Sequence, residues 1–260
     1  MIVKTSAVVL REIKYRDQSK ICLLLTREFG KVTVIPKAVR NPKNRMNAVF
    51  CTGNVIEAVI YRKNTRDIQL VSDGNILISP MTPSPDLERF AVLYRMLDLV
   101  RHSTGHEEKN IPLYSLLVRT IGELCSAGCG FRAVLARFLL QLASVLGFEP
   151  SIDRCVYSRG ELLPAIRDHN LQELHFVHDP GGFALPGAHA ATETQSQSVP
   201  VSTYLFLLSL AGKRAETAAQ EPSPDEVSRL CFLLQDYCNR HLDSMPHRKH
   251  LDIVTQLFSA

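Results

Sequence analysis

Lys37, Arg40, Lys43 and Arg45 fall within nine residues of one another. They form the densest part of a larger basic set, with Lys4, Arg11, Lys14, Arg16, Lys20, Lys31, Arg62, Lys63 and Arg66. The first 66 residues hold 14 Lys/Arg against 4 Asp/Glu, a net charge of +10. The other 194 hold 16 against 22, a net of −6, so the total of +4 hides a basic module joined to a mildly acidic remainder. Clustered cations suit a polyanion, because each neutralised phosphate releases condensed counterions. Tyr15, Phe29, Phe50 and Tyr61 lie in the same segment as candidate base-stacking rings. Core packing is the competing use of each.

Catalytic arrangements are not expected. The chain has no GxSxG, no phosphate-cradling GxxxxGK[ST], no HExxH and no paired DxD. Pro180-Gly181-Gly182 reads as a turn, since no Lys-Ser/Thr follows it.

The seven cysteines are odd in number, and a disulfide framework is not expected in a long intracellular chain. Cys125 and Cys129 are four apart, as on one helix face, and packing is the expected role for them and for Cys231 and Cys238. Cys155 opens an irregular stretch where a structural zinc would sit. Position 158 is Ser, however, and no cysteine occurs between 156 and 230. His169, His175, His178 and His189 are the substitutes at hand. A four-ligand tetrahedral shell is not expected, so the reading is no metal and no cofactor.

Strands must position the basic residues. Apolar runs at Ala7–Leu10, Ile21–Thr26 and Val32–Ile35, a looser alternation at Val55–Tyr61, and Ile68–Ile78 give five β segments. Arg27-Glu28-Phe29-Gly30 is a tight reversal between the second and third. Five strands without a long helix predict a small barrel or sandwich. Pro80, Pro83 and Pro85 then break the chain, with Ser84 placed to cap a helix and Pro85 to open it. Apolar spacings of three and four predict helices around Leu87–Val100, Leu113–Leu124 and Val134–Leu146. The third is nearly all apolar and should be central. Residues 151–200 are rich in Pro and Gly and read as an irregular insertion with one or two short β pairs. Helix returns at Thr203–Leu210 and again after the capping box Ser223-Pro224-Asp225-Glu226.

No apolar run approaches the roughly 18 residues of a membrane-spanning helix, and Lys4, Arg11 and Glu12 interrupt any leader-like start. The expected location is intracellular.

Several strings, in this order, resemble the bacterial DNA repair and recombination protein family RecO. They are Ala7-Val8-Val9-Leu10-Arg11, Tyr15-Arg16-Asp17-Gln18-Ser19, Leu24-Leu25-Thr26-Arg27-Glu28-Phe29-Gly30-Lys31 and Pro36-Lys37-Ala38-Val39-Arg40 with Lys43. Later come Phe131-Arg132, Phe138-Leu139-Leu140, Leu146-Gly147-Phe148-Glu149-Pro150, Asp153-Arg154-Cys155 and Gly181-Gly182-Phe183. Ala38 stands where the family has Gly, and only Cys155 remains of its four-cysteine zinc pattern.

The resemblance implies an α+β protein. A five-stranded OB-fold at 1–80 binds DNA. A helical domain occupies 81–150 and resumes at 201–260. Between them, 151–200 is a zinc-finger-like insertion that has lost its metal. It also implies binding of single- and double-stranded DNA, annealing of complementary strands, and work with RecR, and with RecF in some systems, to load RecA onto strands coated by single-strand-binding protein. The location would be cytoplasmic, at the nucleoid. The C-terminal tail of single-strand-binding protein is expected to dock on the helical body. Arg132 and Arg137 flank the apolar stripe Val134, Leu135, Phe138 and Leu139 there, and a guanidinium can hold a terminal carboxylate by two hydrogen bonds. The competing readings are a scaffold whose basic face docks an acidic partner and, more weakly, a nucleic-acid-processing enzyme.

Overall fold

In the computed structural model the described residues are 1–15, 19–36, 45–63, 65–81, 86–187, 196–213 and 222–244. They divide into a first unit, Met1–Phe131 together with residues 242–244, and a second, Arg132–His241.

The first unit begins with strands β1 (Ile2–Tyr15), β2 (Ser19–Thr26), β3 (Gly30–Pro36), β4 (Val55–Tyr61) and β5 (Ile68–Ile78), with the short helix α1 (Arg45–Val49) between β3 and β4. They close into a barrel in the order β1-β2-β3-β5-β4, the OB-fold expected from the sequence. Alternation makes the core. Ala7, Val9, Cys22, Leu24, Val32, Val34, Ile56, Ala58, Ile60 and Val71 point inward, and Val49 and Phe50 plug the barrel from α1. Among the barrel strands described, β3 and β5 alone pair in parallel, from Thr33↔Ile68 to Pro36↔Val71. Register shifts at Val9/Arg11 and Val59/Ile60 give the strands the bends that closure requires. Phe50 is thereby assigned to the core, since it is fully buried.

Helices α2 (Leu87–Ser103) and α3 (Ile111–Ser126) belong to this unit. Asp86, rather than Ser84, caps α2 by accepting from the Arg89 N–H at 2.8 Å; Ser84 lies outside the described residues. Asn110 caps α3 in the same way. The segment joining α2 to α3 runs along the barrel, where the Glu107 N–H donates to the Lys31 carbonyl at 2.9 Å. The boundary expected at residue 80 falls between β5 and α2, inside this first unit. Cys129 departs from its expected position. It lies beyond the end of α3 and is exposed, so it shares no helix face with Cys125.

The second unit is built around α4 (Phe131–Leu146), where Leu135, Phe138, Leu139 and Leu142 are buried, as the all-apolar pattern predicts. Helix α7 (Pro224–Ser244) lies beside it, with the Cys231 and Cys238 thiols donating to the Arg132 and Leu139 carbonyls. Its capping box forms as expected, the Ser223 hydroxyl accepting from the Glu226 N–H and the Glu226 carboxylate from the Ser223 N–H. The 151–200 stretch holds more order than a loop. It contains α5 (Leu162–Asp168) and strands β6 (Glu173–Val177), β7 (Gly182–Ala184) and β8 (Ser196–Pro200), paired in the order β7-β6-β8. Helix α6 (Val201–Leu210) follows. Phe176, Phe183, Tyr204 and Tyr237 meet edge to face beneath the sheet, and the Tyr204 and Tyr237 hydroxyls donate to the Ile152 and Phe148 carbonyls. Among the described residues no helix is long and apolar enough to cross a membrane.

Candidate nucleic-acid interface

The structure separates the basic set into three groups. Lys4, Lys14, Arg45, Lys63 and Arg66 are exposed on the barrel surface. Lys4 pairs with Glu57 at 2.9 Å, and the Arg45 guanidinium donates to Asp73 and Asn75, each at 2.8 Å. Such exposed pairs exchange readily with solvent and are individually weak.

A second group is withdrawn. Lys20 is 5% exposed, and its ammonium donates to the Glu12 carboxylate and the Asn47 carbonyl. Lys31 is also buried, donating to the Arg101 carbonyl at 2.7 Å. Arg62 lies over the Phe29 ring at 4.5 Å and pairs with Glu107. Arg11 is half-buried beside Asp98 and Arg101 of α2, where the His102 and Arg101 side chains hold the Asp98 carboxyl well below the usual carboxylate range. Lys20 and Lys31, both in the expected DNA-binding set, are thus withdrawn from the barrel surface. Both donate inside the unit, which offsets the cost of desolvating an ammonium. The third group, Arg16, Lys37, Arg40 and Lys43, lies outside the described residues.

Lys63 and Arg66 owe their placement to a residue that charge alone does not flag. Gln69 is buried at the start of β5, accepts from the Lys63 N–H at 2.8 Å, and donates to the Lys63 and Arg66 carbonyls at 3.0 and 2.5 Å. One amide thus fixes the β4–β5 turn and presents both cations outward. Arg27, on the β2–β3 turn, is a further exposed cation that the sequence reading leaves out. Lys14 and Lys20 face each other across β1 and β2 and line a cleft of about 320 Å³ with Glu12, Ile13 and Asn47.

Residues 1–80 match the family described as Recombination protein O N terminal, and residues 84–251 match Recombination protein O C terminal. The chain belongs to the RecO family. A DNA repair protein RecO of Chlorobaculum parvum is 57% identical over 260 residues, all of both chains. One of Pelodictyon phaeoclathratiforme is 52% identical over 99% of both chains, and one of Chloroherpeton thalassium 31% over 99% of both. The barrel is thus the N-terminal OB-fold-like domain of a RecO-family member, and recombinational DNA repair is the role of that family.

The stripe expected to receive a partner tail is not a surface in this RecO-family chain. Phe138, Leu135 and Leu139 are in the core, and Arg137 is half-buried. Arg132 is exposed and donates to the Ser228 hydroxyl of α7. Ser228 in turn lines a groove of about 360 Å³ between β8 and α7, with Val199, Thr203, Arg229, Phe232 and Leu233. Phe232 is 69% exposed there.

The insertion's residues do not fit the zinc ion that the RecO-family pattern implies. Cys155 is buried. Burial raises its thiol, but hydrogen bonds from the Ser158 hydroxyl and the N–H groups of Ser158, Leu185 and Tyr157 outweigh that and lower it. His178 is taken by Asp236 at 3.0 Å, His169 sits at the end of α5, and His189 lies outside the described residues. Among the described residues no three His, Cys, Asp or Glu side chains converge.

Proposed function

We propose that this chain is a non-enzymatic DNA-binding mediator of recombinational repair. It binds single- and double-stranded DNA and anneals complementary strands. With RecR and RecF it helps load RecA onto strands coated by single-strand-binding protein, in the cytoplasm at the nucleoid. The observation that carries this reading is the exposed cation set on the barrel, Lys4, Lys14, Arg45, Lys63 and Arg66, in a RecO-family OB-fold. Cations on one module hold two phosphate backbones together, lower their mutual repulsion, and so favour pairing.

Salt-dependent binding of labelled single strands, followed by an annealing assay, tests it. Replacing Lys37, Arg40, Lys43 and Arg45 together by Ala should weaken binding and flatten the salt slope by roughly 0.7 per lost phosphate contact on a single strand. Unchanged affinity and slope would refute the placement. Strand cleavage on adding Mg²⁺ would favour a nucleic-acid-processing enzyme instead.

The groove between β8 and α7 supports a second part of this reading, docking of the acidic, apolar C-terminal tail of single-strand-binding protein. Arg229 and the neighbouring Arg132 match its charge, and the groove floor at Leu230 and Leu233 matches its apolar end.

A further inference from the structure

Ile2 in β1 lies opposite Tyr61 in β4, Tyr61 opposite Leu70 in β5, and Leu70 opposite Ile35 in β3. Directly paired residues place their side chains on the same face of a sheet. The next positions along these strands, Val3, Ile60, Val71 and Val34, pack in or against the barrel core. The row Ile2, Tyr61, Leu70 and Ile35 therefore runs across four strands on the outer surface. Ile2 is 62% and Tyr61 44% exposed, and Leu70 and Ile35 are half-buried. Tyr61, the one aromatic ring in this row, is exposed to solvent.

Cations outnumber carboxylates around it. Lys63 and Arg66 are exposed on the turn that leaves Tyr61, and Lys4 lies two residues beyond Ile2 on the same face. Glu57, paired with Lys4, and exposed Asp67 on the turn are the nearby carboxylates. Apolar surface beside cations matches a polymer whose apolar rings alternate with phosphates. A duplex hides those rings in its stack, whereas a single strand offers them.

We infer that the Ile2–Tyr61–Leu70–Ile35 row is a nucleobase-stacking platform selective for single strands, with Lys63 and Arg66 taking the adjoining phosphates. This rests on the DNA-binding reading above and adds the class of strand and the residues that distinguish it. Tyr61 is the anchor, because base–aromatic stacking tolerates any sequence and is lost with the ring.

The chain contains no Trp, so Tyr61→Trp creates a single indole. The full-length variant should bind a single-stranded oligothymidine as tightly as wild type, and its fluorescence should be quenched on binding. A duplex of equal length should bind without quenching. Tyr61→Ala should lose about tenfold or more in oligothymidine affinity while keeping its duplex affinity and salt slope. Lys63→Ala with Arg66→Ala should weaken both and flatten both slopes. If Tyr61→Trp binds oligothymidine unquenched, or Tyr61→Ala binds it as well as wild type, the platform is overturned and the row belongs to a protein partner. If wild type binds neither DNA, the DNA-binding reading itself fails.

Discussion

Gly30 and Glu108 leave no space for a side chain between them. A Cβ on Gly30 would overlap the backbone carbonyl of Glu108, and Gly30 itself has φ +66°, a left-handed conformation that L residues rarely adopt. This close approach seats the α2–α3 connection against the β2–β3 turn. Gly30→Ala should destabilise the chain by at least about 2 kcal/mol, from backbone strain together with the displaced connection. Chemical denaturation checks it, and a loss below half that value would mean the connection moves aside at little cost.

Lys20 should behave as a structural cation. Lys20→Met leaves the Asn47 carbonyl and the Glu12 carboxylate without their donor, a cost of about 1–3 kcal/mol. The salt slope for single-stranded DNA should stay at the wild-type value. A flattened slope in a variant shown to be folded would return Lys20 to the contact surface.

Tail docking separates two places on the second unit. Phe232→Ala and Arg229→Ala should each weaken binding of an acidic tail peptide several-fold and leave the melting temperature unchanged, because both side chains are exposed. Phe138→Ala should instead cost about 3–5 kcal/mol of stability, as truncation of a fully buried ring does. Tail binding unaffected by both exposed substitutions would remove the groove from consideration.

Purified protein should carry well under one zinc per chain by elemental analysis. Cys155→Ser should lower stability by about 1–3 kcal/mol whether or not zinc is added, since Cys155 is fully buried and a hydroxyl there sits too far from a donor 3.5 Å from the sulfur. One tightly held zinc, lost in Cys155→Ser, would contradict the incomplete ligand shell.

The strands were legible because each barrel segment alternates or runs apolar over a length that only a strand explains. A small barrel is among the expected outcomes, but which strands meet to close it is not legible, since nothing local in Thr33 or Ile68 announces that they pair in parallel. Charge was read correctly in sum and less well in place. Lys20 and Lys63 look alike in a sequence, and only the packed barrel shows that one meets Glu12 inside while the other stands on a turn held by Gln69. Phe138 shows the opposite case. The wide apolar face of α4 already argued for a central helix, and that argument competes with any use of the same stripe as a docking surface. The short β pairs expected in 151–200 are present, joined in one three-stranded sheet, but strands of three to five residues carry too few alternations to show where each begins and ends.

The parallel seam between β3 and β5 has a consequence for how the chain comes off the ribosome. Strands β1 to β3 can form hairpins as soon as they are made, but Thr33 finds its partner only at Ile68 and Pro36 only at Val71. Until then Val32 and Val34 have one open flank, so the nascent basic module presents apolar edge and cationic surface together. A growing chain in that state is an adhesive for nucleic acid and for its own kind, and its solubility during synthesis depends on how quickly residues 55–71 follow.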